Sequence, residues 1–127
     1  MILYLSGPIT GTRDYKARFA DAADQLREKG FTVISPAYAP EGLTNADYMR
    51  ISLAQLEAAD GIVLLASWAM SRGAVIEGLY AAYIGKQIFM ANKNPFTGRI
   101  CIEAVGSQWL EEIATSGIVK RLSEAEK

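Results

Sequence analysis

Short apolar segments alternate along this chain with longer segments in which apolar residues recur at helical spacing. The apolar segments 2–6, 31–34, 62–66 and 87–91 are predicted strands. Helices are predicted over 14–29, 45–59 and 73–84 and over most of 100–114, while 118–122 fits either a last strand or part of a helix. Strands that are apolar throughout and alternate with helices are typical of a parallel sheet covered on both faces. We therefore expect an α/β three-layer sandwich, built as a single domain over residues 1–127.

The helix ends are predicted from residues that stop or cap helices. Thr10 or Thr12 is positioned to cap the first helix, and Gly30 follows its last turn. Gly85 follows the third helix in the same way. No repeat, linker or low-complexity segment interrupts this pattern.

Composition narrows the chemistry that such a domain can perform. The 127 residues carry a net charge of −1, with one cysteine and no histidine. This balance argues against duplex nucleic acid as the main partner, and Cys101 alone makes neither an intrachain disulfide nor a cysteine-based metal site. Acid–base chemistry is left to Asp, Glu, Tyr or Lys, and we expect no metal and no cofactor.

The apolar segments are too short for export or membrane insertion. Residues 1–5 are far fewer than a secretory signal needs, and no stretch approaches the roughly 20 apolar residues of a membrane helix. The expectation is a protein of the reducing cytoplasm that does not enter a membrane.

Glu77 is the strongest candidate for chemistry. It follows a predicted buried strand and lies in the second turn of a helix otherwise made of small and apolar residues. A carboxylate is costly to bury without hydrogen bonds, and ligands of open α/β sheets bind at the carboxyl ends of the strands. The structural alternatives are an ion pair with Arg72 or Arg13, or an outward-facing side chain.

The other candidate features are a glycine-containing loop, a serine, an aspartate and two tryptophans. The loop 7–11 follows the first strand and contains two glycines, which either let backbone amides approach an anion or only make the turn. Ser71 could be an N-cap, although Ala74 stands where a capping box needs Glu or Gln. Asp60 is assigned to the turn before the third strand. Trp68 could form a wall for a base, and Trp109 is assigned to the core or an interface.

The combined motifs resemble the nucleoside 2-deoxyribosyltransferase-like family, which includes deoxynucleoside 5′-monophosphate N-glycosidases and small uncharacterised members. The resemblance covers about residues 1–91 and is carried by Tyr4-Leu5-Ser6-Gly7-Pro8, by Ala59-Asp60, and by Ser71-x-Gly73-x3-Glu77-Gly78 with Ala81 and Gly85-Lys86. It implies a flavodoxin-like, Rossmann-like fold with four or five parallel strands in the order 2-1-3-4-5. It also implies a homodimer or larger homo-oligomer, which the apolar residues Leu79, Tyr80, Tyr83 and Ile84 would suit.

The activity implied by this resemblance is cleavage of an N-glycosidic bond, by hydrolysis or base exchange. Glu77 matches the family's nucleophile and Tyr4 a tyrosine that orients it. Ser71 stands where the monophosphate hydrolases tend to have a phosphate-contacting serine and the transferases an acid. The expected substrate-binding residues are Ser6, Gly7, Pro8, Ile9, Gly11, Arg13, Ser52, Trp68, Ser71, Arg72 and Gly73.

One position departs from the family pattern and keeps other functions open. Ser52 stands where many members have an aspartate that handles the leaving base, and Asp47 and Tyr48, one turn earlier, are the possible substitutes. The departure favours a second hypothesis, a nucleotide sensor or sequestering protein without efficient turnover. A third hypothesis is a phosphate-binding flavodoxin-like domain of another activity, although no acid pair ends the first strand.

Overall fold

The strands and helices alternate as the sequence pattern predicts, with one difference near the C-terminus. The computed structural model describes the backbone of residues 1–125 and the side chains of residues 1–116. The strands are β1 Ile2–Ser6, β2 Thr32–Ile34, β3 Gly61–Leu64, β4 Gln87–Lys93 and β5 Ile100–Val105. The helices are α1 Tyr15–Glu28, α2 Asn45–Ala58, α3 Arg72–Tyr83 and α4 Ser107–Ala125. No helix within the described chain is long and apolar enough to cross a membrane.

The sheet has the predicted order but is mixed rather than parallel. Its strands are arranged β2-β1-β3-β4-β5, and the first four in this arrangement are parallel. β5 is antiparallel to β4, with Ile88 opposite Val105 and Lys93 opposite Ile100. The prediction of a purely parallel sheet was therefore wrong at this edge.

The connection between β4 and β5 explains the antiparallel edge. Asn94 and Arg99 close a tight hairpin through a backbone hydrogen bond of 2.8 Å, and Gly98 adopts a φ of 73° within it. A hairpin can only join antiparallel neighbours, since parallel strands need a crossover. The helix predicted over most of 100–114 was wrong for 100–105, whose residues pair with β4 instead. The segment 118–122 lies within α4, so its helical alternative is confirmed.

Both faces of the sheet are covered, but unequally. Leu3 and Leu5 of β1 pack with Phe19 of α1 on one face. The other face carries Tyr4 of β1 and buried residues of α2, α3 and α4, including Leu110. Side chains alternate between the faces of a strand, so Tyr4 and Ser6 both point toward the α3 side.

The helix ends are only partly as predicted. Gly30 and Gly85 follow α1 and α3 with φ values of 96° and 79°, which confirms the two glycine stops. The first helix is preceded by Asp14, which makes no side-chain capping bond. A threonine cap was therefore wrong, because residues 9–12 form a turn of their own through a bond from Thr12 N to Ile9 O of 3.1 Å.

Candidate active site

Glu77 is buried against the carboxyl-terminal half of β1. The residue is only 6% exposed, although it is a charged residue type. The Tyr4 hydroxyl donates to Glu77 Oε2 at 2.6 Å, and the Ser6 hydroxyl donates to Glu77 Oε1 at 2.7 Å. The two structural alternatives are wrong, because the carboxylate faces inward and its partners are hydroxyls rather than Arg13 or Arg72.

The start of α3 sets the direction in which Glu77 points. Ser71 is the N-cap, and its Oγ accepts a bond from Ala74 N at 3.3 Å. This confirms the capping interpretation of Ser71 and starts the helix at Arg72. Glu77, Gly78 and Ala81 then share the buried face of α3 at helical spacing. The capped start therefore brings the glutamate over β1.

Burial and hydroxyl donors act on the Glu77 carboxyl in opposite directions. Burial raises the pKa of Glu77 above its usual value, while bonds from Tyr4, Ser6 and Ser52 lower it. The pKa of Tyr4 is raised far above its usual range, mainly by burial and next by the charge of Glu77. Tyr4 is therefore protonated at neutral pH and serves as a donor to the carboxylate.

Ser52 brings α2 to the same carboxylate. Its hydroxyl lowers the pKa of the Glu77 carboxyl and that of the Tyr4 hydroxyl. No second carboxylate acts on the pKa of Glu77 among the residues whose side chains the structure describes. The site therefore combines one buried acid with three hydroxyls.

Asp47 and Tyr48, the possible substitutes for the acid missing at position 52, bond to groups other than Glu77. Asp47 Oδ1 accepts from Arg50 Nη1 at 2.6 Å on the protein surface. The Tyr48 hydroxyl donates to Pro40 O at 2.7 Å and so holds the loop 36–46 against α2. Both residues therefore have other partners in this structure, and their substitution for the missing acid stays a prediction.

The loop after β1 lies where its predicted ligand role requires, at the carboxyl end of the strand. Gly7 is buried, and a Cβ on it would lie 3.1 Å from Leu65 Cβ, a tight contact that favours glycine there. Gly11 has a φ of 78°, which also favours glycine. Pro8 and Ile9 between them are half-buried.

Two arginines lie at the starts of the neighbouring helices. Arg13 precedes α1, and Arg72 is the first residue of α3; both are exposed. Neither forms an ion pair with any described residue. Gly73 follows Arg72, and a Cβ on it would lie 3.8 Å from Met49 Cε of α2. Two cations without an ion pair among the described residues therefore stand at the starts of the helices that follow β1 and β3.

Trp68 is not a wall for a ligand in this structure. It is 4% exposed and packs in the core beside Trp109, with ring centroids 6.4 Å apart. The prediction was wrong because the turn before α3 directs the ring inward, which leaves almost no face for a base. Trp109, which was assigned to the core or an interface, is 38% exposed and contacts the core through the ring of Trp68.

Asp60 lies at the opposite end of the sheet from Glu77. Its Oδ2 accepts from Ile2 N at 2.7 Å, and its own backbone N–H donates to Ile2 O at 2.7 Å. These bonds join the start of β3 to the start of β1. The structural role assigned to Asp60 is confirmed.

Ser6 as a partner of Glu77 was missed by the sequence analysis, which assigned it to the substrate. The available signal was its spacing from Tyr4, because residues i and i+2 of a strand share one face. No cluster of three or more potential metal ligands occurs among the described residues. A surface groove of about 540 Å³ between α1 and the β4–β5 hairpin contains none of the predicted site residues.

The fold is shared with solved 2-deoxyribosyltransferases. The enzyme from Bacillus psychrosaccharolyticus, described as a biocatalyst for the synthesis of nucleosides, aligns with a TM-score of 0.58 and 19% identity over 71% of this chain and 71% of its own. The 2-desoxiribosyltransferase from Leishmania mexicana aligns with a TM-score of 0.56 and 19% identity over 83% of this chain and 79% of its own. At this identity the likeness establishes the class of fold.

The family to which the chain belongs is described as a domain of unknown function (DUF4406), and it matches residues 1–90. The matched segment contains Tyr4, Ser6, Ser52 and Glu77. No curated protein matches the sequence.

Proposed function

We propose that this protein cleaves the N-glycosidic bond of a nucleoside or nucleoside 5′-monophosphate, with Glu77 as the nucleophile. The observation that carries the proposal is the burial of Glu77 on the inner face of α3, with a hydroxyl donor on each carboxylate oxygen. Buried carboxylates with raised pKa values cluster at functional sites. The shared fold with 2-deoxyribosyltransferases points to the same reaction class.

The proposed reaction has two steps. Glu77 attacks the anomeric carbon of the sugar as the bond to the base nitrogen breaks, and the bonding electrons leave with the base, which takes a proton from water. The glycosyl ester on Glu77 is then attacked at the same carbon by water, which gives hydrolysis, or by the nitrogen of a second base, which gives exchange. Either attack releases the carboxylate of Glu77.

A 5′-monophosphate is the proposed form of the substrate. Arg13 and Arg72 are exposed and unpaired among the described residues, and arginine suits phosphate geometry. Ser71 caps α3 as an acceptor, so its hydroxyl proton remains free to donate to a phosphate oxygen. The loop 7–11 could add backbone donors beside them.

A nucleotide-binding protein without efficient turnover is the second candidate. It is favoured by the single carboxylate at the site, since Ser52 cannot protonate a leaving base as a carboxylic acid would. In that case the protein would bind an unmodified nucleotide and release it intact.

A base-release assay separates these two functions. Ribo- and deoxyribonucleosides and their 5′-monophosphates would be incubated with the wild type, Glu77→Gln and the control Glu103→Gln, which changes an exposed glutamate on β5. Chromatography should show free base from the wild type and Glu103→Gln but none from Glu77→Gln. Equal release by all three proteins would refute the role of Glu77. Tight binding without release by the wild type would establish the second candidate.

We further propose that copies of this chain associate through α3. Tyr83 is 90% exposed and Ile84 is 37% exposed, while Leu79 and Tyr80 are half-buried beside them. Light scattering should give a multiple of the monomer mass that falls in Tyr83→Glu, and a wild-type monomer would contradict this. A cytoplasmic location stays a prediction.

A further inference from the structure

Ser6 is fully buried, and both its carbonyl oxygen and its hydroxyl are hydrogen-bonded. It is 0% exposed and ends β1 between the parallel neighbours of the sheet. Its carbonyl oxygen accepts from Leu65 N at 2.8 Å, just beyond the ladder that joins β1 to β3. Its hydroxyl then has one defined direction, toward Glu77 Oε1 at 2.7 Å.

We infer that Ser6 is a positioning residue for Glu77 and not a substrate contact. Its hydroxyl anchors Oε1 while Tyr4 anchors Oε2, so one strand holds both oxygens of a carboxylate that a different element supplies. The functional part of this inference rests on the proposed role of Glu77 as nucleophile.

Hydrogen bonds to both carboxylate oxygens fix the orientation of Glu77, which one hydrogen bond cannot do. A single hydrogen bond leaves a carboxylate free to rotate about its last torsion, whose preferences are broad. Donors on both oxygens define the plane of the group and therefore the direction from which it meets an anomeric carbon. Tyr4 and Ser6 are suited to this because they are two residues apart on the same face of β1.

The first test measures Glu77 itself and needs no substrate. Glutamate carboxyl carbons would be labelled with ¹³C and titrated by NMR in the wild type, Ser6→Ala and Ser6→Cys, with Glu77→Gln identifying the resonance. Ser6→Ala loses a donor to the ionised Glu77 carboxylate. The midpoint of the Glu77 titration should therefore rise by about 1 pH unit in this variant. Ser6→Cys keeps a weaker donor of similar size, so its Glu77 midpoint should lie between those of the wild type and Ser6→Ala.

Ser35→Ala is the matched control. Ser35 is also buried, at 6% exposure, but its Oγ accepts from Ala37 N at 3.3 Å and is not bonded to Glu77. The midpoint of the Glu77 titration in Ser35→Ala should equal that in the wild type. Coincident midpoints in Ser6→Ala and the wild type, or an equal rise in Ser35→Ala, would overturn the inference.

Kinetics separate positioning from substrate contact. With a nucleoside 5′-monophosphate that the wild type cleaves, Ser6→Ala should lower kcat about 10-fold and leave KM nearly unchanged. A raised KM with unchanged kcat would instead make Ser6 a substrate contact and overturn the inference. If the wild type releases no base, the proposed function fails, whereas the NMR titration still decides the role of Ser6.

Discussion

Replacing Tyr4 by Phe tests how strongly the β1 hydroxyls stabilise the buried carboxylate. Tyr4 is 0% exposed, and its hydroxyl lies 2.6 Å from Glu77 Oε2. A hydrogen bond to a charged group contributes about 1.5–3 kcal/mol net. Tyr4→Phe should therefore lower the free energy of unfolding by about this amount at neutral pH. For a chain of this length each kcal/mol corresponds to roughly 4 °C in Tm.

The loss in Tyr4→Phe should depend on pH in a defined direction. Removal of the donor raises the folded-state pKa of Glu77 further above its value in the unfolded chain. A carboxyl with a raised folded-state pKa begins to lower stability as pH rises above its unfolded-state pKa, and the loss is complete above the folded-state pKa. The extra loss is therefore complete above the folded-state pKa of the variant and disappears below that of the wild type. What remains in acid is the neutral hydrogen bond, about 0.5–1.5 kcal/mol.

Urea unfolding followed by tryptophan fluorescence at neutral and acidic pH measures both effects. Tyr80→Phe is the matched control, because the Tyr80 hydroxyl donates to Glu57 in a solvent-exposed contact. Its stability should change much less than that of Tyr4→Phe. Equal losses in the two variants, or a loss in Tyr4→Phe that is the same at both pH values, would refute the reasoning.

Three further predictions address packing and catalysis. Gly73→Ala places a methyl 3.8 Å from Met49 Cε, an ordinary contact. The higher helix propensity of alanine should raise the free energy of unfolding in urea by up to about 1 kcal/mol. Base release should fall, because Gly73 is an expected substrate-binding residue. Unchanged release would show that no ligand approaches this glycine closely. Gly61→Ala places its methyl 3.0 Å from Gln87 O. The free energy of unfolding in urea should therefore fall by about 1–3 kcal/mol. Unchanged stability would contradict the tight β3–β4 packing. Because burial raises the pKa of Glu77, the pH profile of kcat/KM should fall on its acid side above the usual glutamate range; activity that persists down to that range would contradict an ionised Glu77 as nucleophile.

The four parallel strands could be predicted from the apolar pattern and their order from the family resemblance, but the last strand could be predicted from neither. The apolar strands that pair in parallel are short segments separated by helices, which is the pattern expected of a buried parallel sheet. The apolar content of the segment 100–105 fits either a strand or part of a buried helix. Periodicity does not distinguish a short apolar strand from such a helical segment. Pairing with β4 decides between them, since the hairpin at 94–99 brings six residues into register.

The candidate site divides in a similar way. Trp68 follows a strand on the ligand side, yet whether its ring faces a ligand or the core depends on the turn 68–70, and here it lies beside Trp109. Asp47 and Tyr48 are chemically able to act as acids. Their contacts with Arg50 and Pro40 occupy them instead, and no local pattern reveals such contacts.

By itself, the sequence determined that a glutamate stands on an apolar helix directly after a buried strand, and this was sufficient to select Glu77. The family resemblance anticipated Tyr4 as a partner of Glu77, but only the tertiary structure decided that Ser6 is the second. Glu77's hydroxyl partners, Tyr4 and Ser6, are 73 and 71 residues away in the chain. The reason is physical: an apolar pattern determines which face of an element is buried, whereas the partner of a buried polar group depends on how separate elements meet.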